Sequence, residues 1–136
     1  MPDGALLTGV ARDLVDGPNT GVLATINPDG APQTSVVWVG RDGDDVLIST
    51  TAGLRKETNL RRDPRASLLI VDKDDPARYV EIRGTATVSE DVGRALAVQL
   101  NEKYVGPGAG QEYLALPPEI VRAVIRITPD KVRVRA

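Results

Sequence analysis

Three hydroxyl-bearing residues and two cations lie close together in the sequence, at Ser49, Thr50, Thr51, Arg55 and Lys56. The hydroxyls end a predicted buried strand, and a glycine then lets the chain turn. The cations open a predicted short helix, whose first backbone N–H groups have no intrahelical partner and whose dipole favours an anion. These residue types in this order predict a corner that binds the phosphate of a ligand. A solvated helix whose cations merely face water is the alternative.

The composition excludes several kinds of catalytic site. The chain has no His and no Cys, which removes Ser–His–Asp triads, zinc sites and cysteine nucleophiles. An enzyme built from this sequence would therefore take its reactivity from a bound cofactor. The net charge of −2 argues against a general nucleic-acid-binding protein. The Asp-rich loop at 72–76 lacks the glycine and the terminal Glu of a calcium loop, so no metal site is predicted.

The setting of the protein is also indicated by what the sequence lacks. Disulfides are excluded because there is no Cys. No apolar run approaches the ~20 residues that a membrane-spanning helix needs, and no secretory signal opens the chain. We therefore expect a soluble cytoplasmic protein with no membrane partner.

Apolar periodicity and turn residues predict a mainly β (α+β) fold with few short helices. Helices are predicted over 6–15 (with Asp3 as cap), over 54–62, and over 90–104 with Ser89 as cap. Strands are predicted over 21–27, 31–39, 46–50, 66–71, 79–88, 121–127 and 131–135, with a turn at 129–130 and the first three strands in a meander. The sum predicts one domain over 1–136, a six- to seven-stranded antiparallel barrel that is closed or partly closed.

Two rows of polar side chains lie on predicted strands and have two interpretations each. Gln33 and Ser35 share one face of their strand and would hydrogen-bond a planar ligand, or would simply face solvent. Tyr79 and Arg83 share a face of the strand over 79–88, which is either solvent-exposed or a subunit contact.

Glycines mark two further features. Gly84 interrupts the apolar row of the strand over 79–88 and predicts a bulge or a close approach of backbone or ligand. The segment 106–110 contains three glycines and a proline, so it breaks regular structure, and we interpret it as a mobile flap.

Three ordered blocks of the sequence resemble a known superfamily. The runs over 21–33 (GVLATINPDGAPQ), 56–67 (KETNLRRDPRAS) and 79–86 (YVEIRGTA) are similar to landmarks of the pyridoxamine 5′-phosphate oxidase-like flavin-binding split barrels. Within that superfamily the chain resembles most the small deazaflavin (coenzyme F420)-dependent oxidoreductases. Oxidation of pyridoxamine phosphate itself is not expected, because the C-terminal substrate-gripping pattern of the true oxidases is not matched.

The resemblance implies a homodimer with two cofactor sites at the subunit interface. It assigns the cofactor phosphate to Ser49, Thr50, Lys56 and Asn59, with Arg55 as a helper. It assigns the ring or ribityl portion to Gln33, Ser35 and the backbone of Val36 and Val37, with Tyr79 and Arg83 contributed by the second subunit. No residue is assigned a catalytic role.

The expected activity is transfer of a hydride from reduced F420 to an unsaturated or quinone-like small molecule. Three alternatives stay open: an FMN-binding oxidoreductase, a flavin or deazaflavin carrier without turnover, and a small interaction module that uses its Arg-rich face. Comparing the binding of FMN with that of F420 tests the first alternative. Testing whether the bound cofactor is oxidised by an acceptor tests the second. Binding that weakens steeply with salt is the signature of the third.

Overall fold

The computed structural model describes residues 6–136, which form seven antiparallel strands and four short helices. The strands are β1 (Gly21–Ile26), β2 (Pro32–Val37), β3 (Val39–Asp42), β4 (Asp45–Thr51), β5 (Arg65–Val71), β6 (Tyr79–Glu90) and β7 (Arg122–Arg135). The helices are α1 (Gly9–Asp16), α2 (Arg55–Arg62), α3 (Ala95–Tyr104) and α4 (Gln111–Leu114), with a single 3₁₀ turn at Val92–Arg94. The predicted mainly β split barrel is confirmed.

The sheet closes on itself at one corner. Its strand order is β2-β1-β5-β6-β7-β4-β3, and the two outermost strands, β2 and β3, are joined through the single residue Trp38. The prediction of one strand over 31–39 in a meander was wrong, because the chain bends at Trp38. β2 therefore pairs with β1, whereas β3 pairs with β4 on the other side.

The core is aliphatic, and the strands supply it from alternate positions, which point inward. Fully buried side chains include Leu23 of β1, Ile48 of β4, Leu68 of β5 and Ile82 of β6. Helix α1 packs its buried face, including Leu14, onto the same cluster. A chain without Phe thus fills its interior with β-branched and leucine side chains that suit a pleated surface.

The long pair β6–β7 carries one irregularity, where the register shifts between Arg83 and Gly84. A Cβ on Gly84 would lie 2.2 Å from the carbonyl oxygen of Thr128, so the predicted close approach of backbone is confirmed. The predicted turn at 129–130 was wrong: β7 continues through Pro129, which lies in the irregular part of the ladder. Proline has no N–H to donate and is accepted at such positions.

Two helix boundaries differ from the predictions. Strand β6 extends to Glu90, so Ser89 is not a cap; the carboxylate of Asp91 instead accepts the N–H groups of Leu96 and Ala97, both at 3.0 Å. Helix α1 begins at Gly9 rather than at residue 6, and the predicted cap Asp3 lies outside the described residues.

The segment 106–110 has no regular secondary structure, as predicted, and Gly106 and Gly108 adopt positive φ (142° and 82°). Its mobility stays a prediction. Among residues 6–136, none of the helices is both long and apolar enough to cross a membrane.

Candidate functional site

A cleft of about 250 Å³ lies where β4 ends and α2 begins. Five of the predicted site residues line it: Val36, Val37, Ser49, Thr50 and Lys56. The sequence analysis also placed Thr51 at this corner, but it did not assign the remaining lining residues to the site: Trp38, Leu54, Ala97, Leu100, Tyr113 and Arg122. We call the polar part of this cleft, formed by Ser49, Thr50, Thr51, Lys56 and Arg122, the cationic corner.

Pairing of β4 with β7 brings Arg122 to the hydroxyls. Thr51 lies opposite Arg122 in the antiparallel register. The guanidinium of Arg122 donates to the Thr51 hydroxyl and to the Ser49 hydroxyl, each at 2.7 Å. Ser49 and Thr51 share one face of β4 because side chains alternate along a strand.

The side chain of Arg122 is half-buried, and not all of its N–H groups are hydrogen-bonded to described residues. The guanidinium carbon lies 5.0 Å from the centre of the Tyr113 ring, a cation–π arrangement. Its Nε is buried and has no hydrogen-bond partner in the part of the chain that the structure describes. Burial lowers the pKa of Arg122, since desolvation disfavours the charged form.

Lys56 is the second cation of the corner. Burial, and then the charge of Arg122, lower the pKa of Lys56. Within residues 6–136, no side chain or carbonyl hydrogen-bonds the Lys56 ammonium, and no carboxylate pairs with it. The hydroxyl of Thr50, 3% exposed, is also buried without a partner. The corner therefore holds two cations that have no ion-pair partner among residues 6–136, beside a buried hydroxyl without a hydrogen-bond partner.

The start of α2 is oriented by a buried carboxylate that the sequence analysis missed. Glu57 accepts the N–H of Gly53 at 2.7 Å and is paired with Arg61. The Gly53 hydrogen bond, followed by the Arg61 interaction, holds the pKa of Glu57 below its usual value. Gly53 adopts φ 96°, which a side chain would strain. A Glu in the first turn of a helix is a signal for such back-bonding.

Two predicted residues, Gln33 and Asn59, belong to a different polar cluster, which we call the Asn59 network. The fully buried Asn59 donates to the Thr25 hydroxyl and to the Asn27 side chain, both at 3.0 Å. Arg62 donates to the Asn59 oxygen at 3.3 Å, and Thr25 donates to Gln33 at 2.8 Å. These groups satisfy one another and are not among the residues of the cleft.

The remaining predicted residues lie apart from the cleft. Ser35 points a buried, unpartnered hydroxyl inward from β2. Arg55 is exposed and borders a hollow beside the turn at 27–29. Arg83 is exposed on β6, 3.5 Å from Glu81, and Tyr79 lines a separate hollow at the start of that strand. Their roles in binding stay predictions.

Near the C-terminus, Arg133 and Arg135 are exposed beside Tyr79 at the end of β7. They do not line the cleft between β4 and α2. The expectation that pyridoxamine phosphate is not oxidised stays a prediction.

Trp38 forms one wall of the cleft and packs against Tyr104. Its ring stacks on Tyr104 at 4.9 Å with an interplanar angle of 5°. The Tyr104 hydroxyl donates to the Asn19 carbonyl at 2.7 Å and accepts the N–H of Val39 at 3.0 Å. The one available sequence signal was that this is the only Trp of the chain and falls inside a predicted strand. Arg122 and Tyr113 carried no such signal.

Comparison with known proteins places the chain in a family. The family model described as pyridoxamine 5′-phosphate oxidase matches residues 7–136, so the chain belongs to this family of flavin-binding oxidoreductases. The sequence resemblance is thereby confirmed.

Solved structures agree with this membership. An F420 reductase is 27% identical, with a TM-score of 0.74, and 98% of each chain is covered. A conserved hypothetical protein from Mycobacterium tuberculosis is 29% identical over 99% of this chain and 89% of its own, with a TM-score of 0.76. A heme binding protein from Mycobacterium smegmatis is 27% identical, covers 98% of this chain and 54% of its own, and has a TM-score of 0.68.

Proposed function

We propose that the cationic corner binds the phosphate of a flavin-type cofactor and that the protein is an F420-dependent oxidoreductase. The observation that carries the proposal is that Lys56 and Arg122 line the same half-buried cleft, and that no carboxylate of residues 6–136 lines it. Two desolvated cations side by side are unfavourable without an anion between them. A phosphate supplies the missing charge and accepts several hydrogen bonds.

The residues present fit a phosphate group. The Lys56 ammonium and the Thr50 hydroxyl are the groups without partners, and Arg122 has an unpartnered Nε. The N-terminal N–H groups of α2 start at the same place and favour an anion. Ser49 and Thr51 would hold Arg122 in orientation. The unpartnered Ser35 hydroxyl and the backbone of Val36 and Val37 are the groups proposed for the ring or ribityl portion.

The chemistry would come from the cofactor, which when bound exchanges a hydride with a small unsaturated or quinone-like acceptor. The contribution of the chain is binding, orientation and exclusion of water. Trp38 and Leu100 offer apolar surface in the cleft for that purpose. Because the chain has no His or Cys, neither of those side chains acts as acid, base or nucleophile.

F420 is preferred over FMN because the F420 reductase neighbour matches almost the whole of both chains at 27% identity. FMN is the alternative, since both cofactors join a flat tricyclic ring to a phosphate through a ribityl tail. A carrier that binds without turnover is the second alternative.

We also propose that two copies associate through the outer face of β1, β2 and β5. Val36, Val22 and Leu69 lie side by side across these strands and are 69%, 37% and 37% exposed. A contiguous apolar row on a sheet face favours a covering partner. Light scattering should give the mass of a dimer for the wild type and of a monomer for Leu69→Glu. The exposed Val92→Glu is the matched control, and a wild-type monomer would refute this assembly.

The test of cofactor binding is a fluorescence titration with F420, with FMN and, because one neighbour is a heme binding protein, with haemin. We expect F420 to bind the wild type most tightly. Lys56→Ala should weaken that binding roughly tenfold or more, the worth of one charge-assisted hydrogen bond. Lys73→Ala in the exposed loop after β5 is the matched control.

Unchanged affinity in Lys56→Ala would refute the assignment of the phosphate to the corner. Tighter binding of FMN would move the function to the flavin alternative. Tight F420 binding without oxidation by a panel of quinones and enones would leave a carrier.

A further inference from the structure

Arg94 adopts a backbone conformation that no other non-glycine residue of the described chain shares. Its φ is 58° and its ψ 27°, directly after Gly93 at φ 69°. Side chains rarely occupy this left-handed region, because Cβ crowds the neighbouring carbonyl. Such a conformation persists where surrounding contacts hold it, and it is often linked to function.

The guanidinium of Arg94 supplies those contacts. One terminal nitrogen donates to the carbonyls of Tyr113 and Leu116, both at 2.8 Å. The other donates to Pro117 at 2.8 Å and to Ile120 at 3.0 Å. One side chain thus binds four carbonyls of the segment 113–120, which has little secondary structure of its own.

The residues just before Tyr113 make contacts of their own with helix α3. Gly110 packs against α3 so closely that a Cβ would lie 2.6 Å from the Val98 carbonyl oxygen. Asn101 donates to Glu112 at 3.1 Å. From Tyr113 onward, the side-chain hydrogen bonds to the segment come from Arg94.

The fastened segment reaches the cationic corner through one ring. Tyr113 lies over the Arg122 guanidinium at 5.0 Å, and Arg122 holds the Ser49 and Thr51 hydroxyls at 2.7 Å. A continuous series of contacts therefore connects Arg94 to the corner.

We propose that Arg94 is a positioning residue for the cationic corner: by fastening the segment 113–120 it keeps Tyr113 over Arg122, and so holds Arg122 in the orientation that binds the cofactor phosphate. This inference rests on the proposed function. It assigns Arg94 no contact with the cofactor.

The test is a double-mutant cycle of Arg94→Gly and Tyr113→Leu, with F420 and FMN affinities measured by calorimetry. Glycine accepts the left-handed conformation without strain, so Arg94→Gly removes the side chain and its four hydrogen bonds without straining the backbone. Each single variant should weaken binding roughly three- to tenfold, the range of a partly desolvated cation–π contact. The double variant should bind the cofactor no more weakly than the single variant with the larger loss of affinity, because both changes break the same series of contacts. Losses that multiply would overturn the proposal.

Two further measurements separate positioning from general stability. Hydrogen exchange of the Leu116 and Ile120 amides should rise in Arg94→Gly while the β6–β7 amides stay protected. If Arg94→Gly does not fold, Arg94→Lys retains the charge with fewer hydrogen bonds, and its affinity should lie between the wild type and Tyr113→Leu. Wild-type affinity in the folded Arg94 variant overturns the inference alone. Failure of the wild type to bind either cofactor instead refutes the proposed function.

Discussion

Two polar clusters flank helix α2, and they differ in whether their polar side chains have hydrogen-bond partners within the described chain. In the Asn59 network, the polar side chains pair with one another inside the chain. In the cationic corner, Lys56, the Thr50 hydroxyl and the Arg122 Nε have no hydrogen-bond partner within residues 6–136. Because buried polar groups in folded proteins are nearly always paired, the paired groups of the Asn59 network need no ligand, whereas the unpaired groups of the cationic corner are the basis of the proposed phosphate site. We propose that this difference distinguishes structural from binding residues among polar side chains that cannot be told apart in the sequence.

The largest expected effect is on the Asn59 network. Asn59→Leu should lower the free energy of unfolding by about 2–4 kcal/mol, because Thr25 and Asn27 lose a buried partner. Urea unfolding measures this, with the exposed Gln99→Leu as control. The resemblance also assigns Asn59 to the phosphate. If Asn59→Leu left the stability unchanged but lost as much cofactor affinity as Lys56→Ala, Asn59 would be a binding residue and not a structural one.

The cationic corner should reveal itself in the pH dependence of binding. The pKa of Lys56 is lowered from 10.5 in the ligand-free protein, and only the charged form attracts phosphate. Affinity should be full below the lowered pKa of Lys56 and fall by up to about tenfold as pH rises through it.

Lys56→Arg supplies the comparison for that profile, because a guanidinium stays charged at alkaline pH. Its affinity should stay level over the range in which the wild type weakens. Any protonation change of the cofactor itself affects both proteins equally. If affinity fell with pH in the same way in the wild type and in Lys56→Arg, Lys56 would not belong to the phosphate site.

A smaller effect is expected from Ser49→Ala. The change removes one of the two hydroxyls that orient Arg122, and roughly a two- to fivefold loss of affinity should follow. Ser89→Ala, at the exposed end of β6, is the control. A loss equal to that of Lys56→Ala would show that Ser49 contacts the phosphate directly.

The smallest effect concerns the stability of the ligand-free protein. Lys56→Met removes a partly buried charge that Arg122 repels, so the free energy of unfolding at pH 7 should rise, by less than about 1 kcal/mol. Thermal melting without cofactor measures it. A clear loss of stability would mean that Lys56 has a structural partner after all.

Local patterns account for the features predicted correctly. The alternation of Val80 and Ile82 with polar residues identifies β6, since one face of a half-buried strand must be apolar. The order of hydroxyls, glycine and cations between 49 and 56 located four of the five residues of the corner, because these four are neighbours in the chain. The family resemblance followed from three such local blocks.

Long-range pairing accounts for what was missed. Arg122 is 71 residues from Thr51, and only the β4–β7 register brings the two side chains within 2.7 Å. The bend at Trp38 and the continuation of β7 through Pro129 likewise depend on which strands pair. Pro129, which locally predicts a turn, lies opposite Gly84 in the β6–β7 ladder, where the missing side chain of Gly84 leaves room for the carbonyl of the preceding Thr128.

The amino-acid sequence by itself determined the class of fold, the polar end of β4 with the cations of α2, and the absence of His and Cys chemistry, because these are properties of composition and of short-range period. Only the tertiary structure decided that Lys56 has Arg122 as its neighbour and that Asn59 and Gln33 are occupied elsewhere. Whether a buried polar group is satisfied depends on residues far away in the chain, and packing alone brings those residues together.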